Sequence, residues 1–271
     1  MPELPEVEST RRGLSPHLEG QQIRDAIVRN RALRWPIPSE LAGVLRGSVI
    51  RQLQRRGKYL LFDCGSGWMI VHLGMSGSLR LLAQNRPAGK HDHFDLVLRS
   101  GRVLRLTDPR RFGAVLWSPG DPLQHPLLAR LAPEPLGAEF TGEWIYHASR
   151  GRRVAIKNLI MDNLVVTGVG NIYASESLFL ARISPRAAAG RISRARCDAL
   201  VAAIRQTLSA AIDAGGSTLR NYVGSDGRAG GFQTLHRVYG RERQPCTVCG
   251  TPVRMIRQGQ RATFFCPTCQ R

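Results

Sequence analysis

The sequence predicts an α+β protein in three parts: an N-terminal β-sandwich or barrel-like sheet pair led by a helix, a helical region, and a zinc-ribbon tail. Three observations carry this. Short β-prone runs crowd the first half of the chain, as in a sandwich of small strands. After about residue 150, apolar residues recur at helical spacing. Four of the six cysteines lie between residues 246 and 269.

Pro5 to His17 reads as a helix, with Pro5 in its first turn and Gly20 beyond its end. Ala26–Val28, Ser48–Leu53, Tyr59–Phe62, Trp68–Val71, His93–Leu98 and Val103–Leu106 are the strand candidates, with Ser100-Gly101 as a hairpin turn. Prolines at 119, 122, 126, 133 and 135 mark a change of character. Val154–Leu164, Ile172–Ala181 and Arg194–Ala214 follow as helices. The expected division is 1–135, 136–236 and 237–271.

Cys246-x-x-Cys249 and Cys266-x-x-Cys269 form two knuckles with sixteen residues between them, the spacing of a zinc ribbon. Four protein thiolates close the coordination sphere, so one structural Zn2+ is expected rather than a catalytic one. Cys64 and Cys197 read as packing residues. Arg254, Arg257 and Arg261 stand between the knuckles, either as a clamp on a polyanion or as a solvated basic face.

The formal charge is +19 with a pI near 11.2. Such an excess implies a polyanionic partner, nucleic acid first. No apolar run approaches the ~20 residues that span a bilayer, and no amphipathic basic helix suggests a membrane surface. A bacterial cytoplasmic, nucleoid-associated monomer is the expectation. Of the 39 basic residues, 36 are Arg; only Lys58, Lys90 and Lys157 are Lys. A lysine kept in so arginine-rich a chain hints at a position that wants a compact or deprotonatable amine.

The chain begins Met1-Pro2-Glu3-Leu4-Pro5-Glu6. Initiator methionine is usually removed before so small a residue, leaving Pro2 as a secondary amine beside two carboxylates. An α-amino group titrates near roughly 8 against ~10.4 for lysine, so much more of it is nucleophilic at neutral pH. The same residues also suit a plain helix start, with proline pre-setting φ and acids at the positive end. Further on, Gly168-Val169-Gly170-Asn171 is a tight turn into a helix, with Asn171 placed as N-cap and the backbone N–H groups open to a phosphate.

Together these pieces resemble the bacterial formamidopyrimidine-DNA glycosylases over essentially the whole chain. Pro2–Glu8, Arg56-Gly57-Lys58-Tyr59-Leu60, His72-Leu73-Gly74-Met75-Ser76-Gly77 and Lys90-His91-Asp92-His93 are similar to stretches of that family. So are Asp108-Pro109-Arg110-Arg111-Phe112-Gly113, Gly168–Glu176 and Gln260–Cys266. Endonuclease-VIII-type glycosylases share the fold and the Pro-Glu start. They typically open Pro-Glu-Gly-Pro, prefer oxidised pyrimidines and generally lack an Arg-Arg-Phe stretch, so the purine-directed group is favoured. Asp162-Asn163 departs from the Asp-Gln of many members.

The resemblance implies a helix-two-turn-helix domain in the second part and a set of roles. Pro2 attacks C1′ of a damaged nucleotide, Glu3 moves protons at the sugar, and Glu6 is a second, structural or water-positioning carboxylate. Lys58 occupies the family's catalytic lysine position and Arg261 grips phosphates flanking the lesion. Met75, Arg110 and Phe112 fill the gap left by the extruded base, while His72, His91, Arg153 and Asn171 contact DNA and Lys157 lies near the lesion pocket. The stretch from Ser217 through Phe232 is similar to the loop that closes over a flipped purine. The implied partner is damaged double-stranded DNA. A non-catalytic zinc-ribbon DNA binder and an RNA binder share the charge and the cysteines, but neither needs Pro2, Glu3 and Lys58.

Overall fold

The computed structural model describes residues 2–84, 86–217 and 230–271. It divides into two compact units, 1–129 with 214–231, and 130–213 with 232–271. The described residues 214–217 and 230–231 group with the first unit.

The first unit opens with helix α1 (Leu4–Leu18), started by a reciprocal capping box in which the carboxylates of Glu3 and Glu6 accept from each other's backbone N–H. Strand β1 (Ile23–Val28) and the short helix α2 (Leu41–Leu45) follow. Seven more strands complete two four-stranded antiparallel sheets: β2 (Gln52–Arg56), β3 (Tyr59–Asp63), β4 (Trp68–His72), β5 (Ser78–Leu82), β6 (Asp92–Leu98), β7 (Val103–Thr107) and β8 (Ala114–Ser118). The orders are β1-β6-β7-β5 and β2-β3-β4-β8. Leu60, Phe62, Met69, Val71 and Val115 from one sheet and Phe94, Leu96, Leu104 and Leu106 from the other share one core with Leu14 and Leu18 of α1. That is the sandwich the crowded short strands predict. The row Leu61, Ile70, Leu116, paired across β3, β4 and β8, is buried on the opposite face.

The sequence places a strand at Ser48–Leu53, but pairing in the sheet starts only at Gln52. Residues 48–50 instead bond back to 20–23, with Ile23 donating to the Ser48 carbonyl and Gly20 to that of Ile50.

Ionic clamps fasten this unit. Glu8 on α1 accepts from Arg11, Arg12 and Arg55, and Arg55 also donates to the Gly57 carbonyl in the β2–β3 turn. Asp95 on β6, fully buried, is gripped by Arg29 and Arg105.

The second unit is helical: α3 (Gly142–Ser149), α4 (Ile156–Ile160), α5 (Asn171–Leu180) and α6 (Arg194–Asp213), with the hairpin β9 (Arg254–Gln258) and β10 (Arg261–Phe265). Helix α4 is far shorter than the Val154–Leu164 expected. Asp162 stops it by accepting from the Leu164 N–H through its side chain and from Val165 and Val166 through its carbonyl, the local competition that makes Asp a turn former. Glu176, buried on α5, accepts from the N–H groups of Arg237, Val238 and Tyr239 and so ties the approach to the zinc hairpin onto that helix. Cys64 and Cys197 are buried, and burial pushes both thiols up. No described helix is long and apolar enough to cross a membrane.

Burial alone would raise the Glu8 carboxyl, but the hydrogen bonds of Arg11 and Arg12 with the charges of Arg11 and Arg55 hold it at about 2, against an ordinary 4.5. A depressed carboxylate stabilises the fold above its unfolded pKa and loses that contribution as pH falls through the folded one. Glu8→Gln should therefore destabilise the protein by about 1–2 kcal/mol at neutral pH, after allowance for screening of the solvent-exposed arginines. In denaturant titrations the gap between wild type and variant should close between about pH 4.5 and about pH 2.

Candidate active site and nucleic-acid interface

In the first unit, Pro2, Glu3 and Glu6 are all buried at the head of α1. Glu6 Oε2 accepts from the Glu3 N–H at 2.7 Å, and Oε1 accepts from the Ser217 N–H, also at 2.7 Å. One carboxylate thus joins the chain start to the first residue of the stretch compared with a closing loop. Residues 218–229 of that stretch lie outside the described residues.

Lys58 sits in the two-residue turn between β2 and β3, after Gly57 at φ +57°. A glycine in that conformation at the first turn position is what a tight hairpin demands. The Glu8–Arg55–Gly57 bridge anchors this turn to α1, the helix that carries Pro2 and Glu3 at its head. His72, opposite Tyr59 with ring centroids 4.7 Å apart, accepts from the Gly74 N–H at Nδ1. Burial, aided by the charges of Lys58 and Arg34 and opposed by Asp108, lowers its pKa to about 4. The imidazole is therefore neutral near pH 7, with its proton on Nε2, and offers a donor there.

Met75, Arg110 and Phe112 are exposed on two abutting turns, and the Arg110 guanidinium lies 4.8 Å over the Phe112 ring. Gly74 makes the contact possible: a Cβ there would lie 2.4 Å from the Phe112 carbonyl carbon, and its φ of +60° favours glycine as well. His91 is exposed on a neighbouring turn.

In the second unit, Asn171 is the first residue of α5 and Gly170 its N-cap, so the expected capping role falls away. The Asn171 side chain instead accepts from Lys157 at 2.6 Å and donates to the Ala262 carbonyl and the Tyr239 hydroxyl. Lys157 is turned inward. It is 1 % exposed, and its ammonium donates to Asn171 Oδ1, Thr263 Oγ1 and the Ala262 carbonyl. Its three protons are directed at α5 and β10 rather than at a surface phosphate. Arg261 is exposed at the start of β10, after a turn with Gly259 and Gln260 both at positive φ, the tightest hairpin geometry. Arg153 is exposed just before α4.

The sulfurs of Cys246, Cys249, Cys266 and Cys269 all lie within 4.8 Å of one another. A tetrahedral zinc with bonds of about 2.3 Å sets neighbouring sulfurs about 3.8 Å apart. The pairs Cys246–Cys269 at 4.0 Å and Cys249–Cys266 at 3.5 Å bracket that value, so the donors fit one zinc. Backbone N–H groups of Val248 and Cys269 donate to the Cys246 and Cys266 sulfurs, which fixes the orientation of both.

The chain matches the formamidopyrimidine-DNA glycosylase N-terminal domain over residues 1–115, the H2TH domain over 131–223 and the zinc finger found in FPG and IleRS over 243–271. It belongs to the formamidopyrimidine-DNA glycosylase family. Formamidopyrimidine-DNA glycosylase of a Pseudomonas putida strain is 58 % identical over 271 residues, all of both chains. That of Paraburkholderia phytofirmans is 56 % identical over 277 aligned positions, again all of both chains. Among solved structures, the MutM (Fpg) protein of Thermus thermophilus aligns at a TM-score of 0.90 with 41 % identity, over 99 % of this chain and 98 % of that one. A Lactococcus lactis Fpg mutant, in complex with Fapy-dG-containing DNA, aligns at 0.92 with 33 % identity over all of both chains. The architecture is the family's: paired sheets, H2TH helices and a zinc finger holding one structural zinc.

Sequence reasoning missed the residues that hold these groups in place. Ser76, Asp108, Glu176, Tyr239 and Thr263 make their contacts across long stretches of chain; the presence of all but Tyr239 inside recognisable motifs is the one signal that could have marked them.

Two outcomes follow. Lys157→Met leaves Asn171, Thr263 and Ala262 short of a buried charged donor and should lower stability by about 2–4 kcal/mol in thermal unfolding. A direct phosphate contact would instead leave stability alone and flatten the salt dependence of DNA binding by about one unit. Chelating the zinc should release four titratable thiols and abolish duplex binding, while the circular dichroism of the sandwich persists.

Proposed function

We propose that this chain is a base-excision-repair enzyme that removes 8-oxoguanine and formamidopyrimidines from duplex DNA and then cuts the strand at the abasic site. The single observation that carries this reading is the buried Pro2-Glu3 pair at the head of α1 in a full-length match to the glycosylase family. Once Met1 is removed, Pro2 is a secondary amine beside the Glu3 and Glu6 carboxylates, the pairing that iminium chemistry needs.

The Pro2 nitrogen attacks C1′ and the glycosidic bond breaks, the base leaving with a proton. Glu3 carries protons between solvent and the sugar as the ring opens and an iminium forms between Pro2 and C1′. The iminium acidifies C2′–H. Loss of that proton expels the 3′ phosphate by β-elimination, and a second elimination expels the 5′ phosphate; water then frees Pro2. Lys58, tied to α1 through Arg55 and Glu8, supplies an ammonium to phosphate and proton transfer. Glu6 serves by position, bonded to Glu3 and Ser217 N–H groups.

Extruding the base costs a few kcal/mol. Met75 and Phe112 restore stacking in the vacated site and Arg110 donates to the base left behind. His72 through Nε2, together with His91, Arg153, Asn171 and Arg261, binds the backbone; an arginine is a poor acid, so Arg261 grips phosphate rather than donating a proton. Lys157 acts through Asn171 and β10. The segments 1–135, 136–236 and 237–271 serve as catalytic, H2TH and zinc-finger domains of a monomer working at the bacterial nucleoid.

Borohydride trapping tests this on a duplex with one 8-oxoguanine opposite cytosine, after mass spectrometry confirms loss of Met1. The wild type should give a covalent adduct and strand cleavage, and Pro2→Gly should lose most of both. An adduct seen only with oxidised pyrimidines would move the chain to endonuclease-VIII-type substrates. No adduct on a lesion or an abasic site would leave a DNA-binding protein.

A further inference from the structure

Asp108 is fully buried, and its hydrogen bonds reach every DNA-facing turn of the first unit that the proposed function uses for base extrusion. Oδ1 accepts from Ser76 Oγ at 2.7 Å and from the Arg110 N–H at 3.2 Å, and Oδ2 accepts from the Gly113 N–H at 2.8 Å. Its carbonyl accepts from the Arg111 N–H and stands 2.8 Å from His93 Nε2, and its own N–H donates to the His91 carbonyl. Ser76 in turn accepts from the Arg110 N–H at 3.2 Å. Arg111 is held at φ +56°, a conformation that costs a non-glycine residue about 1 kcal/mol and needs such over-determination.

We infer that Asp108 and Ser76 are positioning residues that lock the Met75 turn and the Arg110–Phe112 turn into one rigid wedge, so that filling the stack and reading the opposite base are a single coupled event. This rests on the glycosylase reading above. The physics is that of a preorganised site. Both turns lie outside the strands of the two sheets. Each is held instead by a charge-assisted hydrogen bond to the same buried carboxylate, and Gly74 lets their backbones touch. A wedge in two independent pieces would spend binding energy on ordering itself at the moment the base leaves the helix. Arg110 offers only donors, which suits the two adjacent acceptors of cytosine better than the mixed edge of adenine. Displacing the Met75 turn must therefore also blunt that preference.

Ser76→Ala cuts the link while leaving Asp108 bonded to Arg110 and Gly113. Single-turnover excision of 8-oxoguanine opposite cytosine should slow roughly tenfold. Cleavage at a preformed abasic site, where no base is extruded, should slow much less. The preference for cytosine over adenine opposite the lesion should fall with it, and Ser76→Thr, which keeps the hydroxyl, should restore both. In the pair Met75→Ala with Ser76→Ala the losses should not multiply, because the serine acts by holding the methionine's turn. A loosened fold would give multiplying losses, a lower melting temperature and an unchanged base preference, and would overturn the inference. So would an unaltered rate and preference in Ser76→Ala with wild type active. Wild type inactive on every lesion would overturn the glycosylase reading and this one together.

Discussion

A chain with 39 basic and 20 acidic residues repels itself, so the fold depends on where its few carboxylates are put. Several of them are put inside. Glu3, Glu6, Glu8, Asp95, Asp108 and Glu176 are all less than a tenth exposed. Donors stand against them: arginines around Glu8 and Asp95, backbone N–H groups around Glu6, Asp108 and Glu176. A buried carboxylate with its lone pairs filled is hard to move, since removing one partner leaves an uncompensated charge at a cost of about 3–5 kcal/mol. Burying anions also leaves the surface to arginine. The same arrangement that anchors the turns therefore produces the positive surface that a polyanion meets.

The head of α1 shows why such anchoring is needed. Pro2 stands at the chain start, where segments fray unless tied down. The capping box of Glu3 and Glu6 fixes the first turn of α1, and the Glu8 cluster fixes the helix to the β2–β3 turn with Lys58. The position of Lys58 relative to α1 is thus set by a through-helix ionic link rather than by sheet pairing alone. In the second unit a zinc does for the hairpin what carboxylates do for the sandwich. The buried ammonium of Lys157 then couples that hairpin to Asn171, with Tyr239 closing the ring of contacts through its hydroxyl and its packing on Phe264.

How much of this can be read from the residues varies with the range of the interaction. The sandwich, the long helix α6 and the four-cysteine site follow from periodicity and spacing, which are local. The strands β5 and β8 are not evident in that reading. Ser78-Leu-Arg-Leu-Leu has no β-branched residue, and Ala114–Ser118 follows directly on a charged turn. Asn171 looks like a cap because its type and place suit one, but the Lys157 donor and the Ala262 acceptor claim its side chain first. Lys157 stands out as one of three lysines, yet nothing local shows whether its ammonium points outward or inward. Only the packing of β10 against α5 decides that. Pro2, Glu3, Lys58 and the exposed Met75, Arg110 and Phe112 stand out through family motifs, and Glu6 with them as a second carboxylate; Glu8 and Asp108 lie in the same motifs, but nothing local shows what they hold.

The distribution of rigidity has a chemical logic. Extrusion of a base is uphill by a few kcal/mol, and the enzyme recovers this only if the groups replacing the base are already ordered when it leaves. Flexible side chains on inflexible backbone serve that end in the function proposed. Met75, Arg110 and Phe112 are exposed and adaptable, while the residues beneath them, Gly74, Ser76, Asp108 and Gly113, are buried and engaged. His72 follows the same rule, its Nδ1 pinned by Gly74 so that a neutral ring presents one defined donor. An imidazolium there would lose its hydration and stand beside the charges of Lys58 and Arg34, which is why the ring stays neutral down to about pH 4. Holding the ring neutral leaves the positive charge at this place to Lys58 and Arg34, so the neighbouring groups do not repel one another through a third cation.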